Sequence, residues 1–374
     1  MKNVIYTSGV FDLLHASHVR ALKSAKAQGG KDAILIVGVA TDEDTQSYKR
    51  KPVIPYEQRI KMIKSLDFVD EVITAPLFTN KQFYDFFGIT LHVQGDDAAG
   101  AIDYYKGGKD LSIIRFIGRD PIESTTSCIS KLKDIVGEDF IVEPLYGGIS
   151  NMAWKISSKM LAKKCVLKYL QSSTAESFSL RHDCIILGGT FALYQYIDGI
   201  VGHVNSKEIV EYFIQKKRNT KNFITGLQAK NEIKAFCPAL MKYIDKKNIV
   251  LLETLKFFDI IYEDIRSWCW THNDLVRENI IKTSKNEIIF IDWEYADMAP
   301  FEMDIASCVI NDVIDFSDLD QNEFDIKFVS LLIIFQCIVW INWYKHYPEK
   351  YEENLVKMYI EKMNFYKKKL RDIK

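Results

Sequence analysis

At 374 residues, with 48% hydrophobic and 26% charged positions, the chain exceeds one ordinary hydrophobic core and has the composition of a globular protein of two domains. Its net charge of -1 gives no global attraction to nucleic acid or to a membrane, and seven cysteines without zinc-like spacing point to reduced thiols in a cytoplasmic protein. Met1 leads directly into a strand without a signal segment, and the apolar run Leu331 to Trp340 is too short to insert in a membrane.

The first predicted strand, Val4 to Thr7, is followed by Gly9-Val10-Phe11-Asp12-Leu13-Leu14-His15-Ala16-Ser17-His18 and a helix beginning near Val19. Both imidazoles therefore sit at a strand-to-helix turn, where a helix N-terminus attracts phosphate. Further strands are predicted at Ala33 to Ala40, Glu71 to Thr74, Ile89 to Gln94 and Ile113 to Gly118, with helical stretches between them. Such alternation argues an α/β domain with a parallel, Rossmann-like sheet and a nucleotide at its carboxyl edge. Between the strands lie a basic loop, Lys49-Arg50-Lys51-Pro52-Val53-Ile54-Pro55-Tyr56-Glu57-Gln58-Arg59, and the turn Gly95-Asp96-Asp97. The segment Arg119 to Thr126 then leads into a helix, Cys128 to Val136, and Gly137-Glu138-Asp139 reads as a junction between domains 1–136 and 137–374. Taken singly, the histidines could be a cap and a surface residue, and the basic loop a solvated face.

These four segments, in this order, resemble the cytidylyltransferases that make CDP-glycerol, CDP-choline and CDP-ethanolamine, with Ser17 where the family's His-x-Gly-His has glycine. The resemblance implies that His15, His18, Lys51 and Arg119 are catalytic, stabilising charge on the α-phosphate and the departing pyrophosphate. It assigns CTP binding to Gly9, Phe11, Asp12, Arg59, Gly95, Asp96, Ser124, Thr125 and Thr126, and it implies Mg²⁺ and a homo-oligomer formed through this domain.

From Phe140 to Gly199 a small β-rich lobe is expected, and from Ile200 to Lys374 a mainly helical large lobe. The turn Tyr146-Gly147-Gly148-Ile149-Ser150-Asn151 could close over phosphates. Val166-Leu167-Lys168 reads as a strand carrying a basic residue, Glu176 as its partner or a solvated glutamate, and Tyr194 to Gly199 as a hinge. About two dozen residues separate Lys168 from that segment, too few for the helix and additional strands that the resemblance named next implies, so by that resemblance the small lobe is shortened. In the large lobe, Asp274 and Asn279 share the segment Thr271-His272-Asn273-Asp274-Leu275-Val276-Arg277-Glu278-Asn279, and Asp292 ends the strand Ile289-Phe290-Ile291. That arrangement can place a substrate hydroxyl and Mg²⁺ beside a γ-phosphate. Near the C-terminus, Trp340 and Trp343 lie three apart on one helical face, as core or as a pocket.

This half resembles the choline and ethanolamine kinases, within the aminoglycoside-phosphotransferase-like group. By that resemblance the fold is a two-lobed, protein-kinase-like α+β domain. Gly148, Ser150, Asn151, Lys168, Gln195 and Tyr196 hold ATP, and Asp274 orients or deprotonates the alcohol. Asn279 and Asp292 hold Mg²⁺, and Glu294, Trp340 and Trp343 receive the head group. The two resemblances describe consecutive steps: a kinase phosphorylates choline or ethanolamine with ATP, and a cytidylyltransferase converts the amino alcohol phosphate with CTP into a CDP-amino alcohol and pyrophosphate. The alternatives are a transferase for glycerol 3-phosphate or another small alcohol phosphate, and a kinase-like domain of different or no activity.

Overall fold

The computed structural model describes residues 2–118, 124–145, 153–159, 164–169, 185–187, 191–219, 223–233 and 236–372. The chain divides into two compact units, residues 1–196 and 197–374.

The first unit begins with a parallel five-stranded sheet in the order β3-β2-β1-β4-β5. Its strands are β1 (Val4–Gly9), β2 (Ile34–Val39), β3 (Glu71–Thr74), β4 (Leu91–Gly95) and β5 (Ile114–Ile117). β2, the unbroken apolar run Ile-Leu-Ile-Val-Gly-Val, is almost entirely buried, as expected of an inner strand covered on both faces. Chain order runs from β1 outward to β3 and resumes at β4 on the other side of β1. The carboxyl ends of β1 and β4 therefore flank the point where a doubly wound sheet opens a crevice.

The helices of this layer are α1 (Ala16–Ala27), α2 (Asp42–Tyr48), α3 (Tyr56–Lys64), α4 (Lys81–Phe87), α5 (Lys106–Asp110) and α6 (Thr125–Val136). Local sequence sets their ends. Thr41 caps α2 by accepting from Asp44 N at 3.0 Å, ahead of an acidic first turn. Asn80 caps α4 by accepting from Phe83 N at 2.9 Å, and Gly88 ends it at φ 64°, a left-handed position. Two starts precede expectation: α1 begins at Ala16, not near Val19, and α6 at Thr125.

A second, antiparallel sheet follows in the order β6-β7-β8-β10-β9: β6 (Phe140–Leu145), β7 (Ala153–Ser158), β8 (Cys165–Tyr169), β9 (Ile185–Leu187) and β10 (Phe191–Gln195). The interval between Lys168 and the expected hinge, read from sequence as too short for additional strands, contains β9 and most of β10. Tyr194 and Gln195 are strand residues, not hinge. Trp154 and Ile156 of β7 join Leu167 and Tyr169 of β8 and Phe191 and Leu193 of β10 in one buried face. Cys128, Ile129, Leu132 and Val136 of α6 complete the same core. Those four α6 positions form one helical stripe. The Trp154 indole donates to the side chain of Gln58 on α3.

The second unit holds two three-stranded antiparallel sheets, β11-β14-β15 and β12-β13-β16, among helices. Their strands are β11 (Gly199–Val201), β12 (Ile224–Thr225), β13 (Ser267–Thr271), β14 (Ile280–Thr283), β15 (Ile288–Phe290) and β16 (Asp297–Pro300). The helix Ile326–His346 runs through its core with Phe257 stacked on Phe335, ring centroids 4.9 Å apart. Sequence reading bounded the apolar run at Leu331 to Trp340. The helix has 21 residues and by length and composition alone could cross a membrane, but here it is mostly buried against the unit's own side chains.

Candidate functional site

In the first unit, the turn leaving β1 places Phe11 at φ 51° and Leu13 at φ 47°, left-handed conformations that non-glycine residues seldom adopt. A side chain at Gly9 would meet the Phe11 ring at 3.0 Å, so the glycine is needed for that close approach. His15 is the N-cap of α1, and its ring stacks on that of His18 at 3.9 Å with an interplanar angle of 25°. The His15 N–H donates to His18 Nδ1 at 3.4 Å, which leaves His18 Nε2 as the position for a proton to donate. Thr125, in the first turn of α6, donates from Oγ1 to Asp12 O at 3.2 Å and lies 3.5 Å from His15 Nε2. Ser17 is buried, and its hydroxyl accepts from Arg20 at 3.1 Å.

Asp12 ties the basic loop to this turn. Its buried carboxylate accepts from Val53 N and Ile54 N at 2.9 Å and from Arg50 at 3.0 Å. Arg59 is fully buried and donates to Ile54 O, Val10 O and Asp42 Oδ1. Sequence reasoning aimed Asp12 and Arg59 at a nucleotide. Their bonds here brace the turn after β1 and the basic loop against each other, while Lys51 on the same loop is exposed. Asp96 is exposed beyond β4, and Ser124 caps α6 by accepting from Ser127 N at 3.1 Å, with Thr126 exposed beside it. A side chain at Gly95 would meet Asp97 Oδ1 at 2.6 Å. Arg119 lies outside the described residues.

Sequence reasoning missed two features of this edge. Phe78, after β3, stacks on Tyr104, after β4, at 5.0 Å and 6°, and Tyr48 lies 6.1 Å from Tyr104; Phe78 and Tyr48 are exposed. Behind them is a buried polar chain. The Tyr84 hydroxyl lies 2.7 Å from both Thr79 Oγ1 and His92 Nδ1, and the Gln94 amide group lies 2.9 Å from His92 Nε2. Burial pushes the His92 imidazole down to about 3, so it is neutral. Period-two alternation in β4 was the only available signal for these inward-facing residues.

Of the residues assigned to ATP, Gly148, Ser150, Asn151 and the companion Glu176 lie outside the described residues. Lys168 is buried in β8 opposite Ala192, and Gln195 is exposed at the end of β10. The Tyr196 ring has the ammonium groups of Lys155 and Lys164 at 5.3 and 5.9 Å.

In the second unit, the loop after β13 brings its three expected polar residues together. Asn279 Nδ2 donates to Asp274 O at 2.8 Å and lies 3.5 Å from Asp274 Oδ2. Ile291 N donates to Asn279 O at 2.9 Å, which sets Asp292 beside that turn. Asn273 and Asp292 take left-handed backbone, φ 66° and 64°. The holding group is Asp304, which sequence reasoning missed although it is, with Glu302, one of two acids in the first turn of a buried, otherwise apolar helix, Glu302–Ile310. Its Oδ1 accepts from the backbone of His272 at 2.7 Å and of Asn273 at 3.0 Å. His272 Nδ1 accepts from Asp274 N at 3.3 Å while Nε2 meets Ile291 O at 2.7 Å, the pattern of a neutral ring protonated on Nε2. Among the described residues no cluster of three His, Cys, Asp or Glu could hold a metal ion. An Asn amide and one Asp carboxylate nevertheless suit Mg²⁺, which keeps most of its ligands as water and phosphate oxygen.

Beside this loop is an aromatic nest. Trp343 Nε1 donates to the Tyr295 hydroxyl at 2.9 Å, Trp340 packs edge-on against Tyr295 at 5.2 Å, and Trp343 meets Tyr347 at 4.9 Å. Burial holds the Tyr295 phenol well above its ordinary value, and the Glu294 carboxylate adds to this, so the hydroxyl is un-ionised. Both tryptophans are buried members of the core as well as walls of the nest.

The chain matches known proteins over both units. Residues 6–163 match the family model described as cytidylyltransferase-like, and residues 203–370 the one described as choline/ethanolamine kinase. An ethanolamine-phosphate cytidylyltransferase of Dictyostelium discoideum is 30% identical over 217 residues, 54% of this chain and 58% of that protein. The chain thus spans little more than half of that relative's length. An FAD synthase of Methanothermus fervidus is 32% identical over 139 residues, 35% of this chain and 96% of that protein. Among solved structures, the choline kinase LicA of Streptococcus pneumoniae is similar with 16% identity and a TM-score of 0.42, over 64% of this chain and 99% of that one.

Proposed function

The chain belongs to the cytidylyltransferase-like family through residues 6–163 and carries a choline/ethanolamine kinase domain over residues 203–370, and from this premise we propose a bifunctional enzyme. It phosphorylates choline or ethanolamine with ATP, then converts the phosphorylated amino alcohol with CTP into the CDP-amino alcohol and pyrophosphate. The observation that carries the reading is the presence in one chain of both constellations: the stacked His15 and His18 at a helix start, and Asp274 with Asn279 on a braced loop.

In the first step Asp274 accepts a hydrogen bond or the proton from the alcohol hydroxyl, aligning its oxygen with the γ-phosphorus. Asp304 fixes the loop through two backbone bonds, so little reorganisation is left for the reaction. Asn279 and Asp292 would hold Mg²⁺, which neutralises charge on the phosphates. The substrate's cationic head is received by Glu294 and the faces of Tyr295, Trp340 and Trp343.

In the second step a phosphomonoester oxygen, already anionic at neutral pH, attacks the α-phosphorus of CTP. The bond to the β-phosphate oxygen breaks, and pyrophosphate leaves without a general base. His15 and His18 donate hydrogen bonds to the oxygens that gain charge, with Lys51 and Arg119 as cations. Phe78, Tyr104 and Tyr48, at the same sheet edge, offer ring faces to the head group.

The test supplies labelled ATP and CTP, singly and together, with choline, ethanolamine and glycerol. A CDP-amino alcohol formed only when both nucleotides are present supports the proposal. A CDP-alcohol formed from glycerol and from neither amino alcohol, or no ADP from any alcohol, overturns it. Asp274→Asn should abolish ADP formation and leave cytidylyl transfer to a supplied phosphomonoester intact.

A further inference from the structure

The aromatic nest of the second unit carries a cation of its own. The ammonium of Lys350 lies 5.4 Å from the ring centroid of Trp343 and 5.4 Å from that of Tyr347, two rings that meet at 4.9 Å with a 48° tilt. Its backbone is fixed beside the rings. Lys350 closes the short 3-10 turn Pro348–Lys350, and its N–H donates to Tyr347 O at 2.9 Å, so the side chain is anchored one turn beyond the rings it covers. Trp343 is the same tryptophan whose indole N–H is committed to Tyr295. Tyr347 in turn packs on Tyr243 at 6.3 Å, and the Glu294 carboxylate acts electrostatically on both Tyr243 and Tyr295. Rings and a carboxylate that draw a substrate ammonium draw a lysine ammonium for the same reason.

We propose that Lys350 sets the affinity of this site: its ammonium lies against the ring faces of Trp343 and Tyr347, and a cationic alcohol binds by displacing it. This deepens the kinase reading and rests on it. Displacement makes affinity the difference between two cation–π contacts, so a head group gains only where it covers more ring surface than the lysine does. A trimethylammonium, which cannot donate hydrogen bonds and presents methyls on every side, meets that condition better than a primary ammonium, which is chemically like the lysine itself. Lys350 thus lowers the affinity of every cationic head group by the same factor, and the choice between a trimethylammonium and a primary ammonium rests with the rings.

The experiment titrates the full chain, without nucleotide, with tetramethylammonium and choline, reading tryptophan fluorescence and the heat of binding. It compares wild type with Lys350→Met and with Lys357→Met, the latter an exposed lysine on the next helix that serves as a charge control. The expected result is about three- to tenfold tighter binding in Lys350→Met and wild-type affinity in Lys357→Met, the scale of one partly exposed cation–π contact. Equal affinity in wild type and Lys350→Met, equal gains in both variants, or no binding in any of the three overturns the proposal. Failure of the kinase reading shows separately, as absent ADP formation while the binding difference persists. A coincident melting temperature for Lys350→Met and wild type confirms that the rings themselves are intact.

Discussion

Asp304 Oδ1 lies 2.7 Å from the backbone nitrogen of His272, so a carboxylate on a buried helix grips the loop that carries Asp274. Replacing it by alanine leaves two buried N–H groups without their acceptor, at a cost of about 1–3 kcal/mol each. Asp304→Ala is expected to lower the melting temperature and to reduce ATP-dependent phosphorylation more than a hundredfold, with cytidylyl transfer unchanged. Asp304→Asn keeps one acceptor oxygen and should recover part of both. Full kinase turnover in Asp304→Ala would remove the loop-holding role.

His18→Ala should reduce CTP-dependent pyrophosphate release by roughly two or more orders of magnitude, the scale of losing one donor to transition-state charge. The measurement supplies the phosphomonoester directly, so kinase activity does not enter. Ser17→Gly removes the buried hydroxymethyl side chain, and with it the hydroxyl that accepts from Arg20, and turnover is expected to stay within about tenfold of wild type. A collapse of activity in Ser17→Gly would instead assign that hydroxyl a part in binding nucleotide.

His92 makes stability depend on pH. Burial pushes its pKa down to about 3 from the 6.5 of a free imidazole, so between those values the unfolded chain binds a proton that the folded one refuses. The contribution of neutral His92 is fully present above pH 6.5. It declines by about 1.4 kcal/mol for each unit of acidification and is exhausted near pH 3. Chemical denaturation at pH 7 and pH 5 should show a smaller loss in His92→Gln than in wild type. Parallel losses would mean that other groups govern the acid limb.

Trp343→Ala should impair choline phosphorylation more than ethanolamine phosphorylation, by about 1–2 kcal/mol in kcat/KM, because a quaternary ammonium has no hydrogen bonds with which to compensate a lost ring. Trp343→Phe keeps a ring face, gives up the indole bond to Tyr295 and should fall between the two. An equal loss for both alcohols, or a fall in stability alone, returns this tryptophan to the core.

Legibility in the sequence followed the range of the interaction. The paired histidines, the segment 274–279 and the strand Ile288–Phe290 ahead of Asp292 are local patterns and were readable, as was β2, whose unbroken apolar run declares burial on both faces. Asp304 was not, because its task is to hold a backbone about thirty positions away and nothing in its own neighbourhood marks it. Arg59 shows the converse: a basic residue beside a predicted phosphate loop looks free to bind, and only the fold shows its bonds to Ile54 O, Val10 O and Asp42. Phe78 and Tyr104 belong to loops after different strands, so their stacking depends on the crossover from β3 to β4, not on spacing. Phe11 and Leu13 occupy glycine-like backbone without being glycine, which no propensity would suggest.

Helix α6 has a consequence for where the chain can be divided. Its first turn touches the histidine pair through Thr125, and its buried stripe, Cys128, Ile129, Leu132 and Val136, is roofed by strands of the second sheet. A cut after residue 136, where a reader of the sequence would place the scissors, strips Trp154, Leu167 and Phe191 from that stripe and leaves an oily helix facing water. Its fragment would be prone to aggregate rather than to work. The boundary that leaves this core whole lies further on, after residue 196, so a shortened chain that keeps α6 covered has to retain the second sheet.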